Sequence, residues 1–424
     1  MPKEQEIKWS KLSSDIYERF AVELGEGLHD GADVTSGDQD VRYGIELQQK
    51  RLNDKGLTMY CDFVPRGQFS QSSSGSAEWK DEHYKSRTYW RTCQWKRLIS
   101  AGDKQISAKQ EKVVLYQTVT DVISGEHMDE EFYSCSNCGA NVKIKELTKG
   151  CPYCNTFFKM DELYPKISNY YILKDYGRTS NELKREILKF VIPAIIVAII
   201  GYTLDMHYSP EMSKSWGSAI IIGILSGIIA GGLFGYVLWA ISLIARLFID
   251  AGKAVSILSK TSGSNKRFEN YMKRYSPEFS YTYFTGKVVS LVKIIIFSDN
   301  PDELPVYEGE MLGNRFDNLI DTSFNGAVAC KNMKEQDGII TLSVEAFMTN
   351  TYESGGKIIE KDETVRLTMK RRTGGKLDYH FSIKKLQCIN CGGSFDATKN
   401  RICPYCGSPY QLEDMDWIVT SIKM

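Results

Sequence analysis

The sequence predicts an α+β fold in which two soluble domains, each with helices on a curved antiparallel sheet and an inserted four-cysteine zinc ribbon, are joined by a two-helix transmembrane hairpin. Three observations predict it. Cys135-x2-Cys138 with Cys151-Pro-Tyr-Cys154 is answered far down the chain by Cys388-x2-Cys391 with Cys403-Pro-Tyr-Cys406. Two long apolar runs lie between these quartets. In both flanking blocks helical periodicity comes first and two-residue alternation follows, as expected for helices packed on one face of an antiparallel sheet.

The boundaries that follow are 1–185 for the amino-terminal domain, with its ribbon at 133–160, and 186–250 for the hairpin, with spans at 187–206 and 218–249. A linker at 251–266 leads into the carboxy-terminal domain, 267–424, with its ribbon at 386–410. A chain of 424 residues can bury a core on each side of the hairpin. Lys and Arg number 53, as do Asp and Glu, so no general field draws nucleic acid or an acidic substrate. Of 11 cysteines, those outside the quartets, Cys61, Cys93 and Cys330, are scattered singles rather than a disulfide framework, which places the soluble parts in a reducing compartment. Met1-Pro-Lys-Glu-Gln-Glu-Ile-Lys-Trp9 is charged and lacks the apolar core of a secretory signal.

In the amino-terminal block, Asp15 to Leu28 and Val41 to Leu52 read as helices, and Tyr89 to Leu98 and Val113 to Val122 as strands. Phe132-Tyr133 leads into the first ribbon; Phe157 to Leu163 and Ile167 to Ile172 follow it. Gly25-x-Gly27-x3-Gly31 departs from the spacing of a dinucleotide fingerprint and reads as a helix terminus.

Ile187 to Met206 reads as a spanning helix, with Lys189 placed to snorkel. Ser218 to Ala245 carries no charge, and its 28 residues would extend roughly 42 Å as a helix, so the second span should tilt or protrude. A buried helical pair in a soluble core is the alternative. Lys174, Arg178, Lys184 and Arg185 precede the first span, Lys253, Lys260, Lys266 and Arg267 follow the second, and the connecting loop holds only Lys214. By the positive-inside rule both soluble domains face the cytoplasm and 207–217 faces outward, in the cell membrane. Gly223, Gly227, Gly231 and Gly235 share one helix face and mark a close helix contact, either with the first span or with a second copy in a homo-oligomer.

After the polar stretch Thr261-Ser-Gly-Ser-Asn265, an apolar-periodic run through Phe284, Val288, Leu291, Ile295 and Phe297 reads as an amphipathic helix, and a second helical segment follows around Met311 to Ile320. Val365, Leu367 and Met369, then Leu377, Tyr379, Phe381 and Ile383, alternate with polar residues as strands do. Asp337-Gly338, Gly355-Gly356 and Gly374-Gly375 supply turns.

Ser276-Pro-Glu-Phe279 with Tyr283-Phe284, the break Asp299-Asn-Pro-Asp-Glu-Leu304, the strands, and the closing Trp417-Ile-Val-Thr-Ser-Ile422 resemble the carboxy-terminal domain of the 44-kilodalton subunit of the mitochondrial inner-membrane import translocase and its membrane-bound bacterial relatives. The resemblance covers about residues 267–424 and rests on diffuse apolar patterns. It implies a cone of sheet and helices like nuclear transport factor two, and a role in anchoring translocation machinery or nascent chains at a membrane. The ribbon between the last two strands departs from the family pattern. Both ribbons sit before a returning strand, which predicts that the two soluble blocks are related cones. One cone beside an unrelated ribbon-bearing domain is the alternative.

Thiolates suit Zn2+, and four of them leave no open position for water, so two structural zinc sites are expected rather than Lewis-acid catalysis. An iron site or a thiol redox pair is the alternative. Lys370, Arg371, Arg372, Lys376, Lys384 and Lys385 cluster near the second ribbon and read as a solvated strand face. His29, His83, His127, His207 and His380 show no metal spacing, and no nucleophile elbow, phosphate loop or zincin motif is present. Asp378 and His380 share a strand face and could form an acid/base pair, but a position facing solvent or helices is the simpler reading. The expectation is a non-enzymatic adaptor that binds membrane lipid and a protein partner, in protein transport, translocation or membrane insertion. A small-ligand sensor or enzyme using a cone pocket is the second reading. A membrane-tethered contact with the ribosome or nucleic acid is the third, disfavoured by the charge balance.

Overall fold

Side-chain caps and left-handed turn residues punctuate this chain where its periodicity changes. Asp38 Oδ1 accepts from the Val41 N–H at 2.8 Å and Ser280 Oγ from the Tyr283 N–H at 3.3 Å, so each satisfies an orphan donor at a helix start. Gly31 ends the first helix at φ 77°, and Asp337-Gly338 (53°, 73°) and Gly355-Gly356 (59°, 76°) close tight hairpins. The computed structural model describes residues 3–66, 70–71, 78–80, 84–122, 132–135, 138, 140–147, 149–156, 165–175, 180–209, 215–277, 279–374, 385–388, 390–391, 394–396, 400, 402–409, 412–414 and 416–424.

Before the apolar helices come α1 (Lys3–Asp30), α2 (Gln39–Asp54), β1 (Leu57–Pro65), β2 (Ser70–Gln71), β3 (Glu78–Lys80), β4 (Tyr84–Ala101) and β5 (Lys104–Val122). The short β6 (Phe132–Ser134), β7 (Asn141–Lys143) and α3 (Ile144–Leu147) surround the first cysteine quartet, and β8 (Lys166–Lys174) closes the block. After α4 (Ser180–Tyr208) and α5 (Trp216–Met272) come α6 (Tyr281–Phe297), β9 (Leu319–Gln336), β10 (Ile339–Ser354) and β11 (Lys357–Arg372). The short β12 (Lys385–Gln387) and β13 (Ser394–Asp396) flank the second quartet before the final β14 (Ile418–Lys423).

The same antiparallel path occurs twice. The first sheet runs β1-β4-β5-β8, with β2 and β3 paired to β4; the second runs β9-β10-β11-β14. In each, the cysteine ribbon is inserted between the third and fourth strands of the path. The fourth strands are also clasped alike. Ile167 donates to Ser36 O (2.8 Å) and accepts from Asp38 N–H (2.9 Å), while Val419 donates to Val306 O (2.8 Å) and accepts from Glu308 N–H (2.9 Å).

By contact, the chain divides into two compact units, Met1–Asp175 with Thr261–Met424, and Tyr176–Lys260. In the first unit the two sheet-bearing halves exchange side chains. Tyr43 and Leu47 of α2 bury into the cluster built on Phe284, Leu291 and Trp417, and Ile320 of β9 buries into the cluster of Phe20, Leu24, Met59 and Leu115. Each fully buried Leu, Ile or Phe contributes about 1.5–3 kcal/mol, so these exchanged residues tie the halves into one core. Met1–Asp175 and Thr261–Met424, the greater part of the two soluble blocks, thus form one compact unit. Gly25 permits the close seating of α1: a Cβ there would strike the Cys61 carbonyl oxygen.

The Tyr176–Lys260 unit is built from α4 and most of α5. Leu183–Tyr208 and Trp216–Ile244 are long and apolar enough to cross a membrane, and Val197, Ile229 and Leu233 are exposed on them. Cβ atoms added at Gly227, Gly231 and Gly235 would lie 2.6 Å from the Cα atoms of Ile199, Ile195 and Val191, and one at Gly223 would strike Thr203. Each four-residue step along α5 matches a step in the opposite sense along α4. The glycine face is thus filled by the first apolar helix of the same chain.

Three expectations change. The segment around Met311 to Ile320 is turn followed by β9 rather than helix, because Asp302 Oδ1 takes the Leu312 N–H at 2.8 Å and holds the chain in a loop. The stretch 251–266, read as a linker, continues α5, whose cap-free polar sequence carries no breaker strong enough to end it. Gly25 and Gly27 lie inside α1, and Gly31 alone ends it. Strand Leu377–Ile383, Asp378, His380, Gly375, Lys376, Lys384, segment 157–163, Arg178, Lys214, His83 and His127 lie outside the described residues.

Candidate metal centres

The second half of each quartet is a tight turn. In the first quartet the Cys135 N–H also donates to Ala140 O at 2.7 Å. The Cys-Pro-Tyr-Cys turns have the same wiring in both ribbons. Cys151 N–H donates to Thr156 O (2.9 Å) and Asn155 N–H to Cys151 O (2.7 Å); Cys403 N–H donates to Ser408 O (3.0 Å) and Gly407 N–H to Cys403 O (2.9 Å). Asn155 (φ 56°) and Gly407 (φ 70°) occupy the left-handed position that this turn demands.

The eight predicted ligands converge as two sets of four. Cys135, Cys138, Cys151 and Cys154 have all their sulfurs within 4.8 Å of one another, as do Cys388, Cys391, Cys403 and Cys406. The closest pairs are Cys135–Cys154 (3.7 Å), Cys138–Cys151 (3.7 Å), Cys388–Cys406 (3.6 Å) and Cys391–Cys403 (3.6 Å). No disulfide forms, and these separations are far too long for one. A tetrahedron with metal–sulfur bonds of about 2.3 Å has edges of about 3.8 Å, so both clusters could hold a tetrahedral soft-metal ion.

The surroundings tune the thiols. Ser408 Oγ lies 3.3 Å from Cys406 Sγ, and the Ser408 hydroxyl and N–H together pull Cys406 down to about 6. Asn390 Nδ2 donates to the same sulfur at 3.8 Å and to Ser408 Oγ at 2.8 Å. Thr156 Oγ1 lies 3.2 Å from Cys154 Sγ, the corresponding place in the first ribbon. Burial, with the neighbouring thiols, pushes Cys138 up to about 12. Cys135, Cys151, Cys388 and Cys403 are buried, whereas Tyr153 and Tyr405 between the ligands of each second turn stand exposed. An ion held by all four sulfurs would have no open position for water, the arrangement of a structural rather than a Lewis-acid site.

Cys61, Cys93 and Cys330 are buried, free and remote from the quartets. In the basic cluster, Lys370 pairs with Glu308 at 2.6 Å, Arg372 approaches Glu413 at 3.9 Å, and Arg371 is buried. Sequence reasoning passed over Lys287 and Lys293, both inside the apolar helix α6. Two lysines among Val, Leu and Ile were the available signal, since a buried cation needs a partner or a purpose. Lys287 pairs with Asp416 at 2.7 Å and approaches Asp40 at 3.8 Å. Comparisons of the chain with family models, curated proteins and solved structures found no match.

Proposed function

We propose that the chain is a membrane-anchored adaptor that binds a protein partner at the cytoplasmic face, with Zn2+ in both tetracysteine sites. The observation that carries this reading is the pairing of two saturated four-sulfur centres, mounted at equivalent places in two like sheets, with a helix pair whose outer face is apolar. Exposed side chains such as Val197, Ile229 and Leu233 would be costly in water and are suited to lipid. Zn2+ is favoured over other soft ions because four thiolates and a tetrahedral edge are its usual structural setting.

Lys174, Lys184 and Arg185 before the apolar stretch 187–206, and Lys266 and Arg267 after the second span, argue for both sheets on the cytoplasmic side of the cell membrane. The like paths of the two sheets suit a pair of cones, and the resemblance of residues 267–424 to the import-translocase domain suggests protein transport, translocation or membrane insertion as the setting. Each zinc would brace the exposed knuckle that bears Tyr153 or Tyr405, giving the partner a rigid surface.

The test is affinity isolation of the full chain from detergent-solubilised membranes, compared with a variant carrying Tyr153→Ala and Tyr405→Ala. The reading expects a stoichiometric protein partner that the variant loses. Recovery of the chain with lipid alone, or of nucleic acid whose binding falls steeply with salt, would overturn it.

A further inference from the structure

The helix pair of the Tyr176–Lys260 unit carries an aromatic cluster toward each of its ends. Where the two helices join, Tyr208 and Trp216 are exposed, and their rings meet edge to face with centroids 6.1 Å apart. His207 stacks on Trp216 at 3.8 Å, so the last turn of α4 and the first of α5 are tied together. Toward the other end, Tyr236 is exposed and its ring lies 5.3 Å from that of Trp239. Between the clusters the exposed side chains are mainly Ile, Leu and Val.

Helical rise sets the distance between them. At 1.5 Å per residue, Trp216 and Tyr236 stand about 30 Å apart along α5, the thickness of the hydrocarbon core of a bilayer. No Asp, Glu, Lys or Arg occurs in α4 between Lys189 and Asp205, nor in α5 before Arg246. The glycine contacts level the two helices. Continued one turn past Gly235 and Val191, their register sets Trp239 level with Ile187, and Ile241 level with Arg185. The charge-free run of α5 therefore overshoots: Ile241 and Ile244, both exposed, stand at and beyond the level of an exposed arginine.

An apolar helix longer than the bilayer either tilts or protrudes. Tilting far enough to bury Ile244 would draw the Tyr236 hydroxyl and the Arg185 guanidinium into hydrocarbon, whereas Tyr and Trp, each with an apolar body and a polar handle, are at ease among headgroups. We propose that the two aromatic clusters anchor the helix pair in the two headgroup layers of a lipid bilayer, so that α5 crosses between Trp216 and Trp239 and its apolar turn at 241–244 stands clear of the hydrocarbon. This rests on the membrane reading above and adds to it the bounds and depth of the crossing.

The experiment reconstitutes the full chain in vesicles of dioleoyl phosphatidylcholine and phosphatidylglycerol and treats it with N-ethylmaleimide, which modifies thiols in water but not in hydrocarbon. Peptide mass spectrometry reads each introduced thiol apart from the native ones. Ile229→Cys, exposed on the helix surface between the clusters, should be protected, and Ile244→Cys should react at least tenfold faster. Adding Trp216→Ala and Tyr236→Ala should slow the reaction of Ile244→Cys at least threefold as the unanchored helix tilts, while Ile229→Cys in the same background stays protected. Rapid reaction of Ile229→Cys in the otherwise unaltered chain overturns the membrane reading, and the proposal with it. Protection of Ile244→Cys alongside Ile229→Cys, or an unchanged rate at Ile244→Cys once the rings are removed, overturns the proposal alone.

Discussion

Arg97 on β4 and Asp321 on β9 form a buried ion pair at 2.7 Å across the seam between the amino- and carboxy-terminal halves. The pair sits in a wider lattice. Glu360 takes both Arg97 and Lys109, Gln48 donates to Asp321 and to the Ile320 carbonyl, and Arg51 donates to the Phe316 carbonyl at 2.8 Å. Both Arg97 Nη atoms are engaged in this way while its Nε has no acceptor, and charged groups removed from water are tolerable only when most of their polar atoms are partnered.

Asp321→Ala leaves the buried guanidinium with Glu360 as its one carboxylate among the described residues, beside the Thr351 hydroxyl, and should cost about 3–5 kcal/mol, the usual range when one member of a buried pair is removed. Because the pair spans both halves, they should still unfold in one transition at lower denaturant, read by tryptophan fluorescence. A double-mutant cycle with Arg97→Met should return a coupling well above that of a surface pair; additive effects would show that the pair does not hold the seam.

Metal content provides a second check. Purified in detergent, the chain should carry two equivalents of zinc, one for each cysteine quartet, by elemental analysis. Cys151→Ser or Cys403→Ser should reduce this to one. Strong chelation should cost stability on the order of 10 kcal/mol at each site, seen as loss of the ribbon folds. Iron in place of zinc, or unchanged content in both variants, would refute the assignment.

Adjacent glycines of the second apolar helix should behave differently. Gly231→Ala drives a Cβ to 2.6 Å from Ile195 Cα, whereas Gly232→Ala meets nothing within 4 Å. Overpacking of this kind costs about 1–3 kcal/mol. Thermal unfolding in micelles should show Gly231→Ala destabilised and Gly232→Ala unchanged; the reverse order would contradict the helix register.

A buried carboxylate should make stability fall as pH rises. Burial, reinforced by Asp40, raises Asp38 to about 8, and burial also raises Asp416, although Lys287 opposes it. A carboxylate with a raised folded pKa binds its proton in the native state and releases it on unfolding. Its contribution is present below the unfolded value near 4 and is lost as pH climbs toward about 8, at up to about 1.4 kcal/mol per unit crossed. Asp38→Asn retains a side-chain oxygen to cap α2 and should flatten the profile between pH 5 and pH 8, read from denaturation midpoints.

Much of the site was legible because its chemistry is local. A Cys-Pro-Tyr-Cys turn is wired by bonds within six residues, so the two quartets declared themselves by spacing, and α2 and α6 by their periodicity. Met311 to Ile320 misled for the converse reason. Its apolar spacing suits a helix, but the Asp302 side chain, distant in sequence, bonds Leu312 N–H and decides for a loop. The partner of Lys287 was illegible as well: nothing adjacent to it in the chain reveals that Asp416 will meet it.

By itself, then, the sequence determined the elements whose causes lie within a turn or two of chain: the sulfur quartets, the apolar helices, the glycine face and the order of helix before sheet. Only the tertiary structure decided that both halves share one core, that the first apolar helix fills the glycine face, and that Arg97 and Asp321 pair across the seam. Those facts depend on which side chains meet across long separations. Burial then compels every charge at the meeting place to find a partner or stand without one.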